Sequence, residues 1–224
     1  MSKVRKNHLK GLFIAIEGAD GVGKSTQARM LAKTIKNMGY PVLLTGEPTN
    51  SRIGILIRDF LHGEMVGVSP AVMTRVEALL FAADRELHLG KEVLPALSKG
   101  MVVVSDRYKL SSMVYQTLSG ADPKWVEELN RFAPDPHLTI LLDLPPEESF
   151  TRLARKGCQH LDKFEKREYQ TRVREKYLCL AGKGVVVVSG AGSPIEVHKR
   201  VFALVKPLLD RIGLPNRVDG EATQ

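Results

Sequence analysis

The residues of this chain best suited to chemistry sit in one short stretch near its start. Gly18-Ala19-Asp20-Gly21-Val22-Gly23-Lys24-Ser25 fits G-x-x-x-x-G-K-[ST] in full, with Thr26 directly behind it. Glycines let backbone N–H groups turn inward around phosphate oxygens, and a helix that starts there adds its positive end. Lys24 would neutralise β- and γ-phosphate charge, and the Ser25 hydroxyl can ligate magnesium. A tight turn alone needs the glycines but has no use for the Lys-Ser pair, so the motif reads as a cradle for a nucleotide triphosphate. Asp20 places an anion among those phosphates, which is costly unless it meets a metal or a reacting hydroxyl; the other reading is an Asx contact that stabilises the turn.

Such a loop needs a strand before it and a helix after it. Residues 12–17 are a short apolar run, and from Lys24 to Met38 the apolar Ala28, Leu31, Ala32, Ile35 and Met38 recur at helical spacing. Further strands are expected at 41–45, 101–105, 138–142 and 184–189, and helices through about 61, over 70–97 with a kink at Pro95, near 147–156, over 162–181, and from 194 to about 212. The strands are wholly apolar and rich in β-branched residues, as in a parallel sheet covered on both faces. Strands alternating with helices predict an α/β domain with five mainly parallel strands and helices on both faces, spanning residues 1–213, with a polar tail at 214–224.

With 43% hydrophobic and 26% charged residues, the composition excludes disordered and collagen-like classes. The longest apolar runs, 11–16 and 184–188, fall short of the roughly 18 residues of a membrane span. The basic start, MSKVRKNHLK, is followed by too short an apolar run for a signal peptide, so no export is expected. Cys158 and Cys179 lack the spacing of a zinc or redox motif, which suits a reducing cytoplasm. The net charge of +8 fits polyanionic nucleotides as well as nucleic acid. No Asn-Lys-x-Asp is present to read guanine, which argues against a signalling GTPase.

Two more constellations could carry chemistry. On the helix from Pro70, at about 100° per residue, Val72, Val76, Leu79, Leu80, Ala83 and Leu87 form one stripe, expected to face the core, while Phe81 and Arg85 project almost opposite. Phe81 could stack on a pyrimidine with Arg85 donating to a carbonyl at its edge; equally, Phe81 could pack on a helix or a second subunit, with Arg85 in a surface ion pair. Asp106 and Arg107 close the third strand, where open α/β sheets bind ligands. They read either as a metal-holding carboxylate and a phosphate clamp or as a buried ion pair with each other. Arg152, Arg155 and Lys156 share a helical face, with Lys163 further on, whereas the alternating charges of 165–176 read as a solvated helix. The histidines are scattered and suggest no metal site, and Trp125 reads as packing.

Taken together, GADGVGKSTQ at 18–27, EPT at 47–49, LLFAADR at 79–85, SDRYKLSSMVYQ at 105–116 and FAPDPHLTILLDLPPE at 132–147 resemble thymidylate kinase over roughly residues 10–205. The resemblance implies a P-loop nucleoside-monophosphate-kinase fold with a small lid at about 152–165, in a cytoplasmic homodimer that binds neither membrane nor nucleic acid. It implies ATP-dependent, Mg²⁺-dependent phosphorylation of dTMP to dTDP, which supplies dTTP for DNA replication. By the same resemblance, Phe81 and Arg85 hold the thymine. Ser111, Ser112, Tyr115 and Gln116 line the nucleoside pocket, with Ser112 or Gln116 bonding the base and Tyr115 crowding the ribose 2′ position. Asp20 touches the acceptor sugar or the metal, Arg107 grips the acceptor phosphate, Asp106 and Ser25 hold Mg²⁺, and Arg155 ahead of Arg152 closes over ATP. Two departures stand out. Gly21 occupies a position where some thymidylate kinases carry arginine, and Gly46 replaces an arginine common before Glu-Pro, leaving Arg107 as the main clamp with Arg58 or Arg52 as helpers.

Overall fold

In the computed structural model, which describes residues 10–62, 67–154, 163–182 and 184–213, the apolar runs pair only with one another. β1 (Leu12–Glu17), β2 (Val42–Gly46), β3 (Val102–Asp106), β4 (Leu138–Asp143) and β5 (Val185–Ser189) form one sheet in the order β2-β3-β1-β4-β5. Every pairing is parallel. The fold class read from the sequence therefore holds, with the sheet parallel throughout.

Helices complete each crossover: α1 (Lys24–Asn37), α2 (Arg52–His62), α3 (Pro70–His88), α4 (Leu94–Ser98), α5 (Lys109–Leu118), α6 (Pro123–Leu129), α7 (Pro146–Ala154), α8 (Lys163–Leu180) and α9 (Pro194–Ile212). One face of the sheet buries Ile14, Ile16, Val102 and Val104 against Leu31 and Ile35 of α1, Val173 and Tyr177 of α8, and Val201 and Val205 of α9. The other face buries Phe13, Ala15 and Val103 against Leu89, Val93, Leu97 and Tyr108. The chain leaves β1 toward β2 on one side and later reaches β4 on the other, which opens a crevice at the carboxyl ends of the central strands. The register fixes what meets there. Asp106 is flanked by Ile16 of β1 and Gly46 of β2.

On the segment from Pro70 one expectation is refined and another fails. It is helical through Ser98, with a π-helical turn at Leu89–Val93 joining α3 to α4 just ahead of Pro95. Pro95 has no N–H to donate and its ring would strike the carbonyl one turn back, and a wider turn ahead of it relieves both. The apolar stripe of α3 also faces outward, with Val72 37%, Leu79 49% and Leu87 39% exposed. The buried face is Thr74, Ala78, Ala82, Asp84, Arg85 and His88. Helical period locates a stripe but not what it packs on, and here polar partners supplied by the β2–α2 loop and α5 outcompete the sheet.

Of the expected lid, residues 155–162 lie outside the described residues, as does the 214–224 tail. Among the described residues no helix is long and apolar enough to cross a membrane.

Candidate active site

The 18–25 loop joins β1 to α1 at the sheet's carboxyl end. Gly23 caps α1 at φ 104°, and neither a side-chain cap nor an acidic residue occupies the first turn. Its first N–H groups and its dipole are thus left for an anion. Lys24 is buried and folds back to donate to the Ala19 carbonyl at 2.7 Å, with Asp20 Oδ1 at 3.6 Å. Burial and the neighbouring Arg107 charge push its amine down to about 8, against the pull of Asp20. Arg107, at φ 72°, lies in backbone space that a side chain rarely enters. Its Nη2 is bonded to the same Asp20 Oδ1, and its Nη1 donates to Ser111 Oγ at 3.0 Å and toward Tyr177 Oη at 3.4 Å. Its guanidinium lies 5.1 Å from the centroid of the Tyr115 ring. Burial favours the neutral Asp20 carboxyl, but Arg107 and Lys24 outweigh it and hold the group below the usual aspartate range. Asp20 is therefore not spent on an Asx turn.

Asp106 and Arg107 are not paired with each other either. Arg107 belongs to Asp20, while Asp106 Oδ1 is buried with no hydrogen-bond partner. The orphaned Asp106 oxygen, whose charge acts on Lys24 next to Ser25 in the loop, and the exposed Ser25 hydroxyl are oxygen donors of the kind a hard cation takes, so these residues fit Mg²⁺. The described residues offer no cluster of three or more His, Cys, Asp or Glu that would hold a metal by itself.

Between α3 and α5 the arrangement differs from the surface ion pair considered for Arg85. Arg85 is among the most deeply buried side chains. Its Nε and Nη2 hold Glu47 Oε2 at 2.8 and 2.7 Å, both Nη atoms reach Ser112 Oγ at 3.1 Å, and Nη1 also bonds Asn130 Oδ1. Glu47 in turn meets His88 Nδ1 at 3.1 Å. Arg85 thus turns inward, contrary to the outward projection expected, because the acceptors that satisfy it arrive from β2, α5 and α6. Phe81, one turn earlier, is half-buried. Gln116, one turn after Ser112, donates from Nε2 to Glu77 Oε1 at 3.0 Å. The β2–α2 loop is tied to the same helix: Asp84 accepts from Thr49 N at 2.7 Å and Ser51 Oγ at 2.7 Å. Arg58 donates to the Pro48 and Thr49 carbonyls at 2.6 and 2.8 Å, beside the cleft, whereas Arg52 is exposed.

Sequence reasoning passed over Glu17. The last residue of β1 and fully buried, it accepts from Tyr108 N at 2.8 Å, Ser111 N at 3.2 Å, Ser111 Oγ at 2.6 Å and Tyr177 Oη at 3.1 Å. Burial pushes its carboxyl up, and those donors oppose the push. A lone carboxylate ending an otherwise apolar strand was the available signal. The charges of 165–176 are solvated as expected where their side chains are described, with Arg167, Glu168, Arg172 and Glu175 exposed, but the same helix buries Gln170 and Val173 and, just past that run, Tyr177, and its Arg174 grips Asp143 at 2.6 and 2.9 Å.

On the opposite side, Arg152 at the end of α7 donates to Val22 O at 3.3 Å, Gly190 O at 3.0 Å and Gly192 O at 3.4 Å. It spans the phosphate loop and the β5–α9 turn. Arg155, Lys156 and Cys158 fall outside the described residues. Cys179 is exposed on α8, and Trp125 is half-buried on α6.

The thymidylate kinase family profile, described simply as "Thymidylate kinase", matches residues 16–201. A "Probable thymidylate kinase" of Pyrococcus horikoshii is 46% identical over 201 residues, covering 88% of this chain and 97% of that protein. A "Thymidylate kinase" of Synechococcus sp. is 39% identical over 206 residues (88% and 96%), and one of Pelotomaculum thermopropionicum is 37% identical over 211 residues (90% and 96%). This chain belongs to the thymidylate kinase family. At Gly21 and Gly46, the two positions where the resemblance led to an arginine, this fold has no room for a side chain. A Cβ at Gly21, where φ is 83°, would stand 2.4 Å from the Ser149 carbonyl of α7. A Cβ at Gly46 would stand 2.8 Å from the Asp106 carbonyl. With neither contact free to give, both positions exclude any side chain.

Proposed function

We propose that this thymidylate kinase transfers the γ-phosphoryl group of ATP to the 5′-phosphate of dTMP, in line, without a covalent enzyme intermediate. The observation that carries this reading is the Asp20 carboxylate, which joins Lys24 of the donor cradle to Arg107 of the acceptor cleft through one oxygen. Two anionic nucleotides drawn to those cations would meet end to end, and phosphoryl transfer asks mainly for that positioning and for charge neutralisation.

Residues 18–26 bind the triphosphate through backbone amides and Lys24. The cation-linked wall of Arg152 and the β5–α9 turn takes the donor base, and Arg155 of the lid joins Arg152 on closure, which excludes water as a rival acceptor. Ser25 and Asp106 would hold Mg²⁺, which would supply charge neutralisation to the phosphates. On the acceptor side, Phe81 stacks the pyrimidine. The Ser112 hydroxyl is the donor at its edge: Arg85 spends its N–H groups on Glu47, Asn130 and Ser112, and because Ser112 Oγ accepts twice from Arg85 its own hydrogen is free to point to the base. Such a donor bonds O4 of thymine, which accepts, and meets the cytosine amino group donor to donor. Tyr115 crowds the ribose 2′ carbon, Ser111 steadies Arg107, and Arg107, with Arg58 as helper, takes the 5′-phosphate.

The active species is a cytoplasmic homodimer. The outward stripe of α3 lies beside an α2 face that exposes Ile55, Leu56 and Leu61, and a second copy would bury both.

An acceptor panel tests the reading. ADP release from ATP and Mg²⁺ is expected with dTMP and not with dCMP, AMP or thymidine. ATP hydrolysis indifferent to the acceptor, or equal turnover of dCMP, would reject it.

A further inference from the structure

Gln116 Oε1 is a buried oxygen with no hydrogen-bond partner, on a side chain only 2% exposed. A buried acceptor left unmatched destabilises a fold, which tolerates it where something else supplies the donor. The other end of the same amide explains how the oxygen came to be free. Gln116 Nε2 donates to Glu77 Oε1 at 3.0 Å. An ionised carboxylate only accepts, so it turns the NH₂ of the amide toward itself and the carbonyl away. Burial pushes the Glu77 carboxyl up, and the donation from Gln116 pulls it back toward the charged form.

Position says which level of the α3–α5 wall the amide occupies. Glu77, Phe81 and Arg85 follow one another at four-residue intervals along α3, and Ser112 and Gln116 do so along α5. Arg85 bonds Ser112 at one level and Glu77 bonds Gln116 two turns back along α3, with Phe81 between them. The first level has the Ser112 hydrogen to offer; the second has an oxygen.

We propose that Glu77 is a positioning residue for pyrimidine selection: by fixing the Gln116 amide, it presents Oε1 as the acceptor for the N3–H of the base. This rests on the reading of the α3–α5 cleft as the acceptor-base site and adds its second discriminating contact. Thymine and uracil offer a hydrogen at N3 and cytosine a lone pair, so an acceptor held there reinforces the donor at the 4-position.

Steady-state kinetics of Glu77→Gln with dTMP and dCMP, at saturating ATP, test it. The new amide can donate to Gln116 Oε1 and lets Gln116 turn its NH₂ to the base. The dTMP/dCMP ratio of kcat/KM should fall about tenfold, the worth of one well-placed hydrogen bond, mostly through a raised KM for dTMP with the KM for ATP unchanged. In a Gln116→Leu background the same change should leave the ratio where Gln116→Leu put it. An unchanged ratio in Glu77→Gln, or a further loss in the Gln116→Leu background, overturns the inference while leaving the site reading intact. No turnover of dTMP by the unaltered protein overturns both. Should Glu77→Gln not fold, the unaltered protein still decides: the N3–H proton of bound ¹⁵N-labelled dTMP should appear protected from exchange, and exchange as fast as in free dTMP overturns the proposal.

Discussion

Lys24 shows how far a single residue's chemistry follows from its surroundings. In a solvated helix its amine would stay charged well past neutrality, but burial beside Arg107 brings it down to about 8. A bound triphosphate favours the charged amine and raises that value. Below about pH 8 the amine is already charged and binding exchanges no proton; above it, binding must take one up. ATP affinity is therefore expected to fall as pH rises through about 8, by up to tenfold per unit, with proton uptake visible by calorimetry in buffers of different ionisation enthalpy. Lys24→Ala should abolish both the uptake and, by orders of magnitude, turnover, with dTMP affinity retained. Legibility at this scale tracked sequence distance. The phosphate loop is contiguous and could be read directly. Asn130 and Tyr177 act on Arg85 and Arg107 from 45 and 70 positions away, and nothing in their own neighbourhoods marks them, while Glu47, 38 positions from Arg85, stood in the EPT segment without a role.

Elements position these groups through buried polar ties as much as through apolar packing. Glu17 fastens the end of β1 to the start of α5 and, through Tyr177, to α8. Removing it leaves the Tyr108 N–H and one of the Ser111 and Tyr177 hydroxyls without an acceptor, and the Ser111 N–H with the Tyr108 carbonyl alone. Glu17→Ala is expected to lower stability by about 3 kcal/mol in urea unfolding and, because Ser111 and Tyr177 also hold Arg107, to raise the KM for dTMP more than that for ATP. An unchanged midpoint would show that the carboxylate is dispensable. The strands were legible because a sheet covered on both faces demands β-branched runs whatever covers it. α3 was legible as a helix but not in orientation, since its buried face is the polar one: Asp84, Arg85 and His88 find their acceptors and donors only once β2, α5 and α6 are in place.

The same inversion matters for the whole molecule. A helix that spends its polar face on the site leaves its apolar face to solvent or to another copy. Val72, Leu79 and Leu87 of α3, with Ile55 and Leu56 of α2, make that face. The protein is expected to run in light-scattering chromatography at about twice 24.8 kDa, and Leu79→Lys to bring it to 24.8 kDa, with α3 and the cleft behind it less stable for losing the cover. A monomeric unaltered protein would refute the assembly. The topology brings the loop after β1, the tip of β3 and the β2–α2 turn to the carboxyl end of the sheet, where the proposed function has both nucleotides enter.

That convergence is tested most directly by a crystal structure with dTMP and a non-hydrolysable ATP analogue. The triphosphate should lie along residues 18–25, the thymine against Phe81 with O4 toward Ser112, and the 5′-phosphate on Arg107 in line with the donor. A cleft between α3 and α5 still filled by the protein's own side chains, with dTMP bound elsewhere, would contradict the account.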